Sequence, residues 1–243
     1  MKILLSGYLG RMGAEVKAAA EKLGHEVFGV DAFADGVENC ASEFSSAQTN
    51  VDIIIDFSHH SLTKTLLEFA LREKLPLVIA TTGQTEEELA LIKEASGKIP
   101  IFFASNYSLG VALLIKLAEK TAAVFPDADI EIVEKHHNRK VDAPSGTAVS
   151  IASALVKVRE NAVVKTGRSG MAVREKNEIG VHAIRMGNVV GEHEVIVGTD
   201  SQTITLKHEA HSRALFAEGA LTAAEFLIGK EAGLYDMNSM ISF

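Results

Sequence analysis

Lys2-Ile3-Leu4-Leu5-Ser6-Gly7-Tyr8-Leu9-Gly10-Arg11-Met12-Gly13 is the stretch on which the fold turns. A short apolar run that halts at glycine suits a strand buried on both faces of a parallel sheet. From Arg11 to Leu23 the apolar residues Met12, Val16, Ala19, Ala20 and Leu23 recur on one helical face, and Gly24 is a stop signal. Between strand and helix stand Gly7, Gly10 and Gly13, spaced GxxGxxG rather than GxGxxG. Glycines there permit a tight turn and let the backbone approach a pyrophosphate, which the helix N-terminus then meets with N–H groups and a favourable dipole. His25–Val30 reads as a second strand ending at Asp31, roughly 20 residues on, where an acid meets ribose hydroxyls. Strand, glycines, helix, strand and acid in that order predict dinucleotide binding by the turn from Gly7 through Tyr8, Leu9, Gly10 and Arg11 to Met12, with Asp31. Asp31 also has a purely structural reading, as a turn acid at a strand end. Ala32 follows it, so its carboxylate favours NADH over a 2′-phosphate, yet Arg11 could reach such a phosphate; NADH and NADPH both stay open.

The same grammar continues outward. Strands are expected at 51–57, 77–81 and 99–105, and a helix at 61–74 capped by Ser61. A further helix at 86–95 should open on a capping box of Thr85 and Glu88. Residues 32–50 carry no clear pattern. Strands alternating with helices over about 105 residues predict an α/β fold with a Rossmann-type, doubly wound parallel sheet. Two later turns should line its crevice: Ala80-Thr81-Thr82 and Ala104-Ser105-Asn106-Tyr107, whose small and hydroxyl side chains suit nicotinamide and ribose. The pattern then changes. After a helix at 109–124 come the strand-like DIEIVEKHH, a helix at 146–159, strand-like stretches at 179–187, 192–199 and 202–208, and a last helix at 212–229. The three late strands read as antiparallel members of a mixed sheet, so the middle of the chain is predicted to be an α+β domain.

Composition bounds the function. The 243 residues are 47% hydrophobic and 23% charged, enough for a core. A net charge of -8 argues against nucleic acid as a partner, since phosphate chains need clustered Lys and Arg. The one cysteine, Cys40, cannot form an internal disulfide, which fits a reducing compartment. Residues 1–7 are too short an apolar run for a secretory signal, and none approaches the roughly 20 residues of a membrane span. The expectation is a cytoplasmic chain with no membrane partner.

Chemistry concentrates in Glu134-Lys135-His136-His137-Asn138-Arg139-Lys140-Val141-Asp142-Ala143-Pro144-Ser145-Gly146-Thr147-Ala148. On charge alone this is a solvated basic loop. It runs, however, into a helix start at Pro144–Thr147, whose first N–H groups form an anion site, and the pair suits a carboxylate-rich substrate. A metal site at His136 and His137 is disfavoured, because adjacent side chains diverge and no third ligand stands at zinc spacing.

This loop closely resembles the signature E-x-HH-x-x-K-x-D-x-PSGTA of the dihydrodipicolinate reductase (4-hydroxy-tetrahydrodipicolinate reductase) family. GYLGRMG, ATTG and ASNYSLGV resemble that family's cofactor loops, and RMGNVVGEHEV and LKHEAHSRALFAEGA its C-terminal half. Departures are Ala80, where glycine is usual, and a short stretch after Asp31. The resemblance implies a dinucleotide-binding domain over 1–106 completed by 213–243, and a substrate-binding and oligomerisation domain over 107–212. It implies a homotetramer in lysine/diaminopimelate biosynthesis, taking hydride from NADH or NADPH to a small dicarboxylate ring. It further implies His136 as general acid/base, Lys140 as proton donor, His137 as a substrate contact, and Gly146 and Thr147 as holders of a substrate carboxylate.

Outside the loop, Arg185 reads equally as a pocket guanidinium or as a surface or subunit-contact residue. His193 and His208 read as structural. Cys40 has no paired histidine and is wrongly placed for a thioester-forming semialdehyde dehydrogenase. A cofactor sensor without turnover would be expected to have lost the His/Lys loop, and here that loop is intact.

Overall fold

The computed structural model describes residues 1–241. One compact unit is built from Met1–Ser108 with the chain from Arg213 onward, and a second from Leu109–Ser212. The first unit opens with β1 (Lys2–Ser6), α1 (Arg11–Lys22), β2 (Glu26–Val30), β3 (Cys40–Ala41), β4 (Ile53–Asp56), α2 (Thr63–Glu73), β5 (Leu77–Ile79), α3 (Glu86–Ser96) and β6 (Pro100–Phe103). The second unit holds α4 (Leu109–Val124), β7 (Asp129–His136), α5 (Gly146–Val158), β8 (Val163–Thr166), β9 (Glu178–Arg185), β10 (Gly191–Gly198) and β11 (Thr203–Ala210). The chain then returns to the first unit with α6 (Ala214–Leu227), β12 (Gly233–Tyr235) and α7 (Met237–Met240).

The first unit is an α/β fold on a seven-stranded sheet ordered β12-β6-β5-β4-β1-β2-β3, every pair parallel. Alternate residues of β1 and β4 leave the sheet on opposite faces, and Ile3, Leu4, Leu5, Ile53, Ile54 and Ile55 are all buried. That is why these strands read as unbroken apolar runs. Leu4, Ile54, Leu77 and Ile101 pack with Leu66, Phe69 and Ala70 of α2 and Ile92 of α3. Phe102, next along β6, instead meets Phe226 of α6 edge-on. The strand order reverses at β1, between β2 and β4, and a sheet of this kind opens a ligand crevice at the C-terminal ends of such strands. Gly7 follows β1 at that point.

The second unit carries a five-stranded mixed sheet ordered β11-β10-β7-β9-β8. Ile130 and Ile132 of β7 face inward with Val181, Val195 and Val197, against Leu114 and Ala118 of α4 and Ile151 and Leu155 of α5. The direction of β9 corrects the sequence reading. It runs parallel to β7 and β8, while β10 runs antiparallel to both β7 and β11. Period-two alternation says which residues face the core and nothing about the direction of the adjacent strand. β8 and β12, both edge strands, are too short and too exposed to leave a clear pattern in the sequence. The cap of α2 is also different: His59 Nδ1 accepts from Ser61 N–H, so Ser61 sits inside a preceding 3-10 turn, and α2 has no side-chain cap. The capping box of Thr85 and Glu88 forms as expected.

Candidate active site

The glycine turn is held by close backbone approach. Gly7 has φ 81°, a conformation that side chains disfavour, and a Cβ there would lie 2.5 Å from the Phe57 carbonyl. A Cβ on Gly13 would lie 2.3 Å from Gly7 O, so the helix can sit this near the turn only without a side chain. Gly10 is the N-cap of α1 and no side chain caps it, nor does any acid stand in the first turn. The leading N–H groups of α1 are therefore offered to an anion, as a pyrophosphate requires.

Asp31 stitches this turn together. Its Oδ2 accepts from Leu9 N–H at 3.0 Å and its Oδ1 from Phe33 N–H at 3.1 Å. The turn-acid reading is thus realised, and the carboxylate still has lone pairs for ribose hydroxyls. Arg11 is exposed on the first turn of α1. Behind the crevice, buried Asp56 ends β4 and accepts from Ser58 Oγ at 2.5 Å and Thr81 Oγ1 at 2.6 Å. Burial lifts its carboxyl above the ordinary value, despite hydrogen bonds from Ser58, Thr81 and Ser6.

The expected cofactor loops are therefore only partly presented. Thr81 spends its hydroxyl on Asp56, whereas Thr82 is exposed and Ala80 half-buried. Tyr107 departs from expectation: its phenol is buried and donates to Ile79 O at 2.8 Å, joining two strand ends from below. A large aromatic after a strand packs into the core, so its hydroxyl is not the crevice group expected from the sequence. Ser105 is exposed, Ala104 and Asn106 half-buried, and Asn106 Oδ1 accepts from Ser108 N–H, setting the turn into α4.

In the second unit the inner row of β7 changes from Ile130 and Ile132 to Glu134 and His136. Residues two apart on a strand share a face, so the two polar groups extend the apolar row. Glu134 Oε2 faces His136 Nδ1 at 2.5 Å. Arg185, the register neighbour of His136 on β9, donates through Nη1 to Oε2 at 2.8 Å and through Nη2 to Oε1 at 2.7 Å. Ser145 N–H donates to Oε1 at 3.0 Å. Burial pushes the Glu134 carboxyl up, but the bonds from Arg185, His136 and Ser145 outweigh it and hold it below the ordinary glutamate range. His193, opposite Glu134 on β10, stands edge-on to His136 with ring centroids 5.2 Å apart. Its Nε2 meets Ser145 Oγ at 3.1 Å. Burial first, then the neighbouring His136, pushes the His193 imidazole down to about 4, so it is neutral at physiological pH.

The basic loop is a tight turn laid along residues 187–189. His137 N–H donates to Val189 O, Asn138 N–H to Gly187 O, and Lys140 N–H back to His137 O. Lys140 Nζ pairs with the exposed Asp142 at 2.9 Å. Ser145 caps α5 by accepting from Ala148 N–H, and Gly146 and Thr147 stand in the first turn, at the positive end of the helix. Gly146 is exposed, with open space around its Cβ position. His136, Lys140, Gly146 and Thr147 thus border one polar end of the sheet. Among the described residues no cluster of His, Cys, Asp or Glu could hold a metal ion, and no helix is long and apolar enough to cross a membrane.

The sequence pattern alone points to no role for Glu134 and leaves Arg185 open between pocket and surface. The signal for Glu134 was its two-residue spacing from His136 in a strand. No signal could have placed Arg185, because a register between distant strands decides its neighbour.

An uncapped glycine turn at the switch point of a parallel sheet, followed by a second unit with a mixed sheet, defines the class of an NAD(P)H-dependent oxidoreductase. Comparison with known proteins narrows the class. The family descriptions "Dihydrodipicolinate reductase, N-terminus" and "Dihydrodipicolinate reductase, C-terminus" match residues 1–107 and 110–241. A 4-hydroxy-tetrahydrodipicolinate reductase of Alkaliphilus oremlandii is 45% identical over 246 residues, covering 100% of this chain and 99% of the relative. One of Staphylococcus haemolyticus is 42% identical, covering 99% of this chain and 100% of the relative. Among solved structures, a dipicolinate-bound dihydrodipicolinate reductase from Paenisporosarcina sp. TG-14 shares the fold with a TM-score of 0.80 at 24% identity, covering 100% of this chain and 99% of that one. The chain belongs to the dihydrodipicolinate reductase family, and NADH or NADPH is its cofactor.

Proposed function

We propose that this chain reduces 4-hydroxy-tetrahydrodipicolinate, through its dehydrated ring, to tetrahydrodipicolinate in lysine/diaminopimelate biosynthesis, with His136 and Lys140 supplying the proton. NADH or NADPH, when bound, supplies the hydride. The turn from Gly7 to Met12 and Asp31 hold its pyrophosphate and ribose, with Ala80, Thr82, Ala104, Ser105 and Asn106 bordering the nicotinamide end. Thr81 and Tyr107 act there through their backbone, since their hydroxyls are committed elsewhere. Hydride addition to a conjugated imine leaves negative charge on the ring, and a proton must follow. His136, an imidazole at the polar end of β7, is placed to deliver it. Lys140 balances the dianion and relays protons once it leaves Asp142. Gly146 and Thr147 take one carboxylate at the helix N-terminus, and His137 contacts the substrate beside them.

The observation that carries this reading is the way Glu134, His136 and the start of α5 are tied into one polar cluster by Ser145. The free thiol of Cys40 supports a cytoplasmic setting. The open edge at β11, with Met171 and Val173 exposed elsewhere on the unit, supports a homotetramer. The test follows loss of reduced nicotinamide absorbance, with substrate generated in place from pyruvate and aspartate semialdehyde by the preceding synthase. Synthase-dependent oxidation is expected with at least one of NADH and NADPH; none with either, from folded protein that binds them, overturns the reading. His136→Gln should lower kcat by about 10²–10⁴ while cofactor still binds.

A further inference from the structure

We infer that Glu134, fixed by Arg185, is the positioning residue of His136: it holds the Nδ1 proton and aims Nε2 as the only ring nitrogen that exchanges a proton with substrate. The inference rests on the reading of His136 as the proton donor and adds the machinery that orients it.

The geometry leaves the Glu134 carboxylate no rotational freedom. Oε1 is taken by Arg185 Nη2 and Ser145 N–H, and Oε2 by Arg185 Nη1 and the His136 ring. Arg185 is itself anchored by donating to Asp142 O at 2.6 Å and Ile184 O at 2.9 Å. A two-pronged guanidinium contact fixes the plane of a carboxylate as well as its place. The plane of Glu134 in turn fixes the ring that bonds to it, because the partner of one imidazole nitrogen decides the state of the other.

The far side of the ring is shaped to match. A Cβ on Gly191 would stand 3.1 Å from His136 Nε2, so glycine keeps that atom's surroundings open. His193 flanks the ring edge-on and is neutral, so it adds no competing charge. The Arg185 cation balances the Glu134 anion, which makes the effect of Glu134 on His136 mainly directional. In the proton step the doubly protonated ring gives up its Nε2 proton to the reduced ring of the substrate. It keeps Nδ1–H on Glu134 and ends as the neutral Nδ1–H tautomer. Glu134 stays an anion throughout.

The experiment compares Glu134→Gln, His136→Gln and their combination in the coupled assay, with Glu134→Gln/Arg185→Met as a variant that removes both buried charges and guards against misfolding. The amide can donate to Nδ1 and so favours the wrong tautomer. Glu134→Gln, and the charge-balanced pair, should lower kcat about 10- to 100-fold with substrate KM changed less than about threefold. Adding His136→Gln to Glu134→Gln should cost no more than His136→Gln alone, because the two act as one unit. Nitrogen NMR of the His136 ring should show the proton on Nδ1 in the parent and its redistribution in Glu134→Gln. A Glu134→Gln enzyme with parental kcat and an unaltered ring spectrum, beside an inactive His136→Gln, overturns the positioning role and leaves the proton-donor reading standing. Full activity in His136→Gln overturns both.

Discussion

Asp56 and Glu134 are both carboxylates at the C-terminal ends of sheet strands, 3% and 0% exposed, and they are driven in opposite directions. Asp56 is met only by hydroxyls and backbone, and burial wins, so its carboxyl is raised. Glu134 is met by a guanidinium, and its hydrogen bonds outweigh its burial, so its carboxyl is lowered. Depth alone therefore does not decide the charge of a buried acid; the charge of its partner does. The first arrangement suits a structural pin beneath a cofactor crevice. The second suits a fixed anion that orients the imidazole bonded to it.

The sharpest way to break the contrast is Arg185→Met. It leaves Glu134 buried without its cation and should cost about 3–5 kcal/mol of stability in urea titrations at neutral pH. The lowered Glu134 carboxyl favours the folded state above the ordinary glutamate value of 4.5, and that support fades as pH falls below it. The deficit of Arg185→Met should therefore shrink toward acid pH; a deficit unchanged with pH would mean that the guanidinium does not set the charge of Glu134.

Asp56→Asn tests the other side, with a smaller effect. A raised carboxyl favours the folded state when protonated, fully below the ordinary aspartate value of 3.8, and this support is lost as pH rises through the raised value. The variant should be about 1 kcal/mol less stable than the parent at acid pH, from poorer hydrogen bonds. Relative to the parent it should gain as pH rises, which urea midpoints across the range would read; a loss growing with pH would reverse the assignment. Smallest is Thr81→Val, which removes one bond to Asp56 and should cost about 1 kcal/mol in thermal melts while NADH affinity stays within about twofold. A large loss of NADH affinity would show that the Thr81 hydroxyl serves the cofactor and not Asp56.

What the sequence determined by itself was whatever local periodicity and short motifs encode. The run Lys2–Ser6 with Gly7, Gly10 and Gly13 set a parallel sheet with a nucleotide turn, and the 134–148 segment identified the family. Helix α4 and the Thr85/Glu88 box were legible for the same reason, since their signals lie within a few residues of one another. Tertiary structure alone decided the parallel course of β9, the inward turn of Tyr107 and the role of Arg185. Each depends on which distant strand becomes a neighbour. Register between β7 and β9 puts Arg185 beside His136, 49 residues away along the chain, and no spacing in the sequence encodes that pairing. The charge of Glu134, and with it the aim of His136, exists only once those strands have met.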